Sequence, residues 1–331
     1  MIMSNMMKAY VISKPADTIN ELQIVDVPIP VPAKNEVLIK IRHASLNPVD
    51  YKLIMHKPAF WQYPYIPGLD CCGEIIEMGT DSSKFSVGDM VAVHADLTHG
   101  GTLAEYVVQP EHVLFKIPDS FDLRLAAALP CAGLTAYQAL VRKMNIQFGR
   151  TILIQAGSGG VGGFAILIAK AFGLEVISSC SNKNIDYVKK LGADIVIDYK
   201  NQDLYAEINQ LYPAGVDYIL ETTTKNNLQK DIDILAFNGQ ISSIVGILDS
   251  SRITEFKTGF GFHEVALGGA YLSKHYQSQQ DLACMGSELI DLLKSSSIFP
   301  DIHKYSFDEV SLAFNNLVDS VNCGKIVIDI P

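Results

Sequence analysis

Thr151-Ile-Leu-Ile-Gln-Ala-Gly-Ser-Gly-Gly-Val-Gly-Gly163 runs from an apolar strand straight into glycines, and an apolar helical pattern follows at once. Gly157, Gly159 and Gly162 satisfy G-x-G-x-x-G in a strand–turn–helix setting, the setting in which that motif holds a dinucleotide. The chemistry requires these residue types. Glycine lets the backbone turn sharply and approach a pyrophosphate with no Cβ in the way. The helix start then offers unpaired N–H groups and a partial positive charge to the anion. Ser158, Gly160 and Val161 complete the expected cradle. A glycine-rich turn used only for tight packing is the alternative, and the βαβ pattern that continues downstream argues for a cofactor.

Outward from this turn, strands and helices alternate. Residues 151–155, 175–179, 195–198, 216–220, 240–245 and 265–272 read as strands, and 160–172, 183–191 and 225–237 as helices. Such alternation predicts a parallel sheet covered by helices on both faces. The first third differs. Short β-type runs at 9–12, 22–27, 37–44, 73–78, 90–94, 103–108 and 113–117 are punctuated by Pro28, Pro30, Pro32, Pro64, Pro67, Gly68, Gly88, Gly100 and Gly101, which predicts a barrel-like β domain. Helical patterns begin near Asp122, at 123–129 and 134–141, and return at 281–293 and 308–318 before a last strand at 325–330. That strand is too short to stand alone and is expected to complete the N-terminal domain. The expected division is 1–122 and 274–331 for a catalytic domain, with 123–273 as the dinucleotide-binding domain.

The chain has 331 residues, more than a single core of roughly 250–300 residues accommodates, so two domains are expected. A net charge of −10 opposes nucleic-acid phosphates and anionic membranes. Six cysteines without a C-x-x-C pair suit free thiols in a reducing compartment, and a cytoplasmic protein is expected. The Met-rich start is too short and polar for a signal peptide, and no apolar run approaches the roughly 18 residues of a membrane span.

The second strand of the βαβ unit ends Ser178-Ser-Cys-Ser-Asn-Lys183. An acidic residue here would hold the ribose 2′-hydroxyl of NAD. None is present, and a lysine is a point-charge partner for a 2′-phosphate. Ser178, Ser181 and Lys183, with Tyr199 on the adenine side, are therefore expected to bind NADPH. The alternative is that Ser181 and Asn182 cap the next helix while Lys183 is solvated.

Lys8-Ala-Tyr, Asn47-Pro-Val-Asp50, Gly68-x-Asp70, Val87-Gly-Asp89, Gly101-x-x-Ala-Glu-Tyr106, Gly133-Leu-Thr-Ala-Tyr137, the glycine turn, Gly192-Ala-Asp194 and Gly324-Lys-Ile-Val327 together resemble the medium-chain dehydrogenase/reductases over nearly the whole chain. The resemblance is to the zinc-free quinone oxidoreductase-like and enone reductase branch. It implies an α/β protein with a GroES-like catalytic domain, a Rossmann domain, an active-site cleft, and a homodimer formed through the strand at 265–272. Zinc members carry Cys where this chain has Asn47 and His-Glu where it has Leu69-Asp70, so no metal is expected.

In place of a metal, the segment 43–52 is expected to supply donors. Pro48 holds Asn47 extended, and the Asn47 amide can donate to a carbonyl or to the nicotinamide ribose. Asp50 either acts as an acid/base group or orients a neighbour, or it caps the turn. Tyr51 belongs either to the core or to the cleft. Lys52 either polarises a substrate oxygen or is solvated. The resemblance places Thr135, Val245 and Gly246 beside the nicotinamide and Phe260 and Phe262 at the rim. Cys131 reads as packing. Phe60, Trp61, Tyr63 and Tyr65 form either a substrate mouth or plain core. The implied activity is hydride transfer from NADPH to a small quinone or α,β-unsaturated carbonyl. The rivals are a pyridine-nucleotide-binding sensor or crystallin-like protein with little turnover, and an alcohol dehydrogenase.

Overall fold

In unit 2, defined below, the strands Ile195–Asp198, Glu175–Cys180, Thr151–Ile154, Val216–Glu221, Leu235–Ser243 and Gly261–Glu264 lie side by side in that order. Every neighbouring pair is parallel. The order reverses between Thr151–Ile154 and Val216–Glu221, and in a doubly wound sheet ligands bind at the carboxyl ends of the strands at this switch point. The strands Thr151–Ile154 and Ile195–Asp198 are nearly all apolar, as expected where both faces are covered. Leu153, Ile177, Ile197, Ile219 and Ile241 share one buried cluster.

The computed structural model describes residues 6–253 and 259–331; the Met-rich start at 1–5 lies outside them. Contacts divide the chain into two units. Unit 1 is Met1–Leu134, Leu267–Lys294 and Asp301–Pro331, and unit 2 is Thr135–Ala266 and Ser295–Pro300. The first boundary falls at Leu134 and not at 122. The helix Leu123–Ala128 buries Leu125, Ala126, Ala127 and Ala128, and Arg124 grips Asp329 of the last strand through two hydrogen bonds of 2.9 and 2.8 Å.

In unit 1 the main sheet runs Ile302–Ser306, Lys325–Asp329, Glu36–Leu46, Asp70–Met78, Met90–His94 and Phe115–Lys116, with Tyr106–Pro110 also paired to Glu36–Leu46. The last strand pairs antiparallel with Glu36–Leu46, so the chain end does complete the N-terminal domain. This unit is the GroES-like domain and unit 2 is the Rossmann domain. Among the described residues no helix is long and apolar enough to cross a membrane.

Three expectations need correction. The helix expected over 225–237 stops at Asp231, because Leu235 pairs with Val216 and begins a strand that buries it. The strand expected over 265–272 ends earlier, as Gly261–Glu264, and Gly269–Leu272 is a short helix. Gly268 packs so closely on Leu97 that an added Cβ would stand 2.5 Å from its Cδ2, and the Tyr271 hydroxyl donates to the His94 carbonyl. Those contacts draw the segment into unit 1. The sequence reading also missed the helix Pro48–His56, in which Pro48 takes the first position, where a missing N–H costs nothing.

Candidate functional site

The glycine turn owes its shape to close packing by backbone and side chain. Ala156 adopts φ +52°, a left-handed conformation that few non-glycine residues take. The Gly157 N–H donates to the Ser179 carbonyl at 3.0 Å and the Gly159 N–H to the Ala156 carbonyl at 3.0 Å. A Cβ on Gly157 would stand 2.1 Å from Ser178 Oγ, and one on Gly162 would stand 2.3 Å from the Ala156 carbonyl oxygen. Gly159 is different: its Cβ would meet only the Ala156 oxygen, at 3.4 Å. Gly157 and Gly162 are thus required by close packing, while the side above Gly159 is open. Gly159 is also the N-cap of the helix Gly160–Ala171 and provides no capping side chain. The first-turn N–H groups of that helix, Gly160 and Val161 among them, remain available to an anion.

At the ends of the next two strands, Ser181 is half-exposed and Lys183 exposed, and neither side chain has a hydrogen-bond or ion-pair partner among the described residues. The alternative in which Ser181 caps the next helix is not what forms, since no side-chain cap bond exists there. Tyr199 is 55% exposed and its N–H donates to the Cys180 carbonyl at 3.3 Å, so these three residues gather at one sheet end. Ser178 does not join them. It is fully buried, and its hydroxyl donates to the Ile154 carbonyl at 2.8 Å, because strand alternation turns it inward beneath the turn. Thr135 lies inside the helix Pro130–Tyr137 and not at its start, and its hydroxyl carries no hydrogen bond among the described residues. Val245 and Gly246 follow the strand Leu235–Ser243, with Gly246 at φ +145°.

Unit 1 holds a buried polar cluster. Asn47, Asp50, Asp70, His94 and Lys325 are each at most 4% exposed. Lys325 Nζ donates to Asn47 Oδ1 and, at 3.2 Å, to the Leu46 carbonyl, and stands 4.0 Å from Asp70 Oδ2. Asn47 Nδ2 donates to Asp70 Oδ2 at 2.8 Å. Asp70 also accepts from the Cys131 N–H at 3.0 Å to each oxygen, and its Oδ1 lies 3.1 Å from His94 Nδ1. Charge pairing and several hydrogen bonds offset the cost of burying these ions. Both ends of the Asn47 amide are therefore engaged, which leaves it anchoring the start of Pro48–His56 and not offering a donor outward. Asn47 is extended there, at φ −133°, as Pro48 dictates.

Asp50 accepts the Asn47 N–H at 2.7 Å through Oδ2, the capping arrangement, while its Oδ1 is buried without a partner. Burial, and then the charge of Asp70, push its carboxyl up to about 7. Burial also drives the Cys131 thiol well above its ordinary range, so the residue packs and its backbone does the bonding. On the same helix Tyr51 is half-buried and Lys52 exposed, and Lys52 has no partner among the described residues. Trp61 and Tyr65 are core: their rings stack at 4.0 Å and both donate to the Leu97 carbonyl. Phe60 remains 39% exposed.

The sequence reading missed Asp70, His94 and Lys325 as a unit. Two of them stood in the quoted stretches Gly68-x-Asp70 and Gly324-Lys-Ile-Val327, but nothing local says that positions so far apart share one interior.

The model for the alcohol dehydrogenase GroES-like domain matches residues 33–119, and that for zinc-binding dehydrogenases matches residues 160–287. A chloroplast envelope quinone oxidoreductase homolog from Arabidopsis thaliana is 42% identical over 190 residues, covering 55% of this chain and 58% of that protein. The match thus spans less than two thirds of that relative's length. A quinone oxidoreductase from Homo sapiens is 31% identical over 222 residues, covering 65% of this chain and 66% of that protein. The solved quinone oxidoreductase of Coxiella burnetii is 29% identical with a TM-score of 0.81, over 98% of this chain and 100% of that one. The chain belongs to the medium-chain dehydrogenase/reductase superfamily. Within it the chain falls in the quinone oxidoreductase-like branch.

One matching model is described by zinc binding, yet the donors here do not suit that ion. Among the described residues no group of three or more His, Cys, Asp or Glu side chains could hold a metal. Where Asn47 and Asp70 meet, the third partner is the Lys325 ammonium, which repels a divalent cation, and an amide is a weak substitute for a thiolate.

Proposed function

We propose that the protein is a zinc-independent, NADPH-dependent reductase of quinones or α,β-unsaturated carbonyls. The observation that carries this reading is the glycine turn at the switch point of the parallel sheet, with Gly157 closed on the Ser178 side chain, Gly162 closed on backbone and Gly159 open above the helix start. The choice of NADPH rests on the unpaired Lys183 beside Ser181 and Tyr199, and on the lack of a carboxylate in 178–183. The relatives named as quinone oxidoreductases support the acceptor class. Bound NADPH supplies the hydride. Thr135, Val245 and Gly246 face its ring in this reading, and the buried cluster holds the helix Pro48–His56 rigid. The Lys52 ammonium then meets the negative charge that develops on the acceptor oxygen, with solvent or Tyr51 returning the proton. A homodimer through the outer edge of Gly261–Glu264, which is paired on one side only among the described residues, belongs to the same reading.

Fluorescence titration of the pure protein tests the cofactor, with NADPH binding roughly tenfold or more tighter than NADH if Lys183 pairs with a phosphate. A panel of quinones, alkenals and enones then tests the acceptor. Tight NADPH binding with no oxidation on any of them favours the binding-protein rival. Lys52→Ala should lower kcat/KM on the best acceptor by about a hundredfold with no change in unfolding, because the side chain is exposed and unpaired. Unchanged turnover removes Lys52 from the chemistry.

A further inference from the structure

Two carboxylates lie fully buried at the switch point of the Rossmann sheet, and the proposed reaction uses neither. Glu221 ends the strand Val216–Glu221, whose Leu220 pairs with Ile154. Asp231 is the last residue of the helix Lys225–Asp231. Both are 0% exposed. Glu221 Oε1 accepts from the Thr223 N–H, from the Thr223 hydroxyl at 2.6 Å and from the Thr224 N–H at 3.1 Å. Asp231 Oδ1 accepts from Gln155 Nε2 at 2.7 Å and from the Tyr205 hydroxyl at 3.1 Å. The remaining oxygens, Glu221 Oε2 and Asp231 Oδ2, are both buried with no hydrogen-bond partner, and the Glu221 carboxylate acts on Asp231 through space.

A like charge beside a buried carboxylate disfavours its ionisation. Burial first, and then the charge of Glu221, lift Asp231 to about 9. The other titratable groups facing the pair are the Tyr205 phenol, raised by burial and by Asp231, and beyond it the Lys230 ammonium, 5.8 Å from the Tyr205 ring centroid. The pair also reaches the cofactor turn. Gln155 immediately precedes Ala156, and its carbonyl accepts from the Thr222 hydroxyl at 2.8 Å. Asp231 thus grips the residue that enters the glycine turn, and Glu221 holds Thr223 and Thr224, just after the strand that it ends.

We propose that Glu221 and Asp231 share a single proton between Oε2 and Oδ2, and that this acid pair is a positioning device that holds Gln155 and residues 222–224 in the shape the dinucleotide crevice requires. The proposal rests on the dinucleotide reading above. Loss of the shared proton to alkaline solvent leaves two adjacent negative charges, whose repulsion opens the arrangement and weakens cofactor binding. Asp231→Asn is the informative variant. Its amide donates permanently to Glu221 Oε2, accepts from Gln155 and Tyr205, and cannot ionise.

The experiment is NADPH titration by fluorescence from about pH 7 to about pH 10. Wild-type affinity should fall by about fivefold or more beyond whatever loss Asp231→Asn shows over the same range. Parallel profiles overturn the proposal, because a merely structural role would not alter the pH dependence. Should wild type bind no NADPH at any pH, the cofactor reading fails, and proton sharing is judged separately by denaturant unfolding. Asp231 has a folded value above its unfolded one. Its contribution to stability is therefore full in acid and is lost as pH climbs toward about 9. Wild-type stability should then decline more steeply than that of Asp231→Asn between about pH 5 and pH 8, and equal slopes overturn the shared proton. Glu221→Gln gives the same two readouts if Asp231→Asn does not fold.

Discussion

Gly162→Ala should weaken NADPH binding by about a hundredfold, equivalent to about 3 kcal/mol. The added Cβ would lie 2.3 Å from the Ala156 carbonyl oxygen and 2.8 Å from Gly157 Cα. Both obstacles are backbone, and neither can swing aside as a flexible side chain would. The helix start and the turn must separate, which moves the N–H groups of Gly160 and Val161 away from the place where they converge on an anion. Distorting a turn that already holds Ala156 at φ +52° also costs stability, on the order of 1–3 kcal/mol. Fluorescence titration and denaturant unfolding separate the two effects. Gly159→Ala is the control for folding, since its Cβ has only one neighbour, at 3.4 Å, and φ there is −82°. Gly162→Ala binding NADPH within about twofold of wild type would show that this turn is not where the diphosphate sits.

Lys325→Met should destabilise the protein by about 3–5 kcal/mol, the cost of breaking a buried ion pair by removing one partner. Lys325 is 3% exposed, and its ammonium is the positive charge against Asn47 and Asp70. Methionine fills much of the same volume, so the loss is electrostatic and not a cavity. Asp50 sharpens the expectation. Its carboxyl stands at about 7, with Lys325 among the influences that hold it down. Raised above its unfolded value, it contributes stability in acid that disappears as pH climbs toward about 7. Without Lys325 the decline should extend to higher pH. Unfolding curves across that range check both points, and a loss below about 1 kcal/mol would mean that the cluster does not depend on its lysine. Adding Asp70→Asn to the variant should recover part of the loss, because the unpaired charge is then removed.

The two clusters behind these predictions were not equally visible beforehand. The glycine turn was legible residue by residue, because its requirements are local: a strand, a close backbone approach, a helix start. Ser178, in the neighbouring strand Glu175–Cys180, was placed wrongly. Whether a strand residue faces a ligand or the interior depends on the pleat, and one position in the alternation sends its hydroxyl to the Ile154 carbonyl. Asp50 was weighed as cap, orienting group or acid/base group, and its bond to the Asn47 N–H is the capping arrangement. Asn47 was expected to donate outward, and the amide is instead held at both ends. The strand expected at 265–272 failed because Gly268 and Tyr271 contact unit 1, a tertiary preference that outweighs a short apolar run.

Sequence alone determined the α/β class, the parallel sheet with its phosphate-type turn, the return of the last strand and the want of an acid in 178–183. Each follows from periodicity, glycine geometry or residue type over a short span. Tertiary structure decided which distant groups share an interior: Asn47, Asp70, His94 and Lys325 in one unit, Gln155, Glu221 and Asp231 in the other. Burial and charge act through space, so partners separated by many residues along the chain become one titrating or ion-paired system only after the strands and helices that carry them have packed.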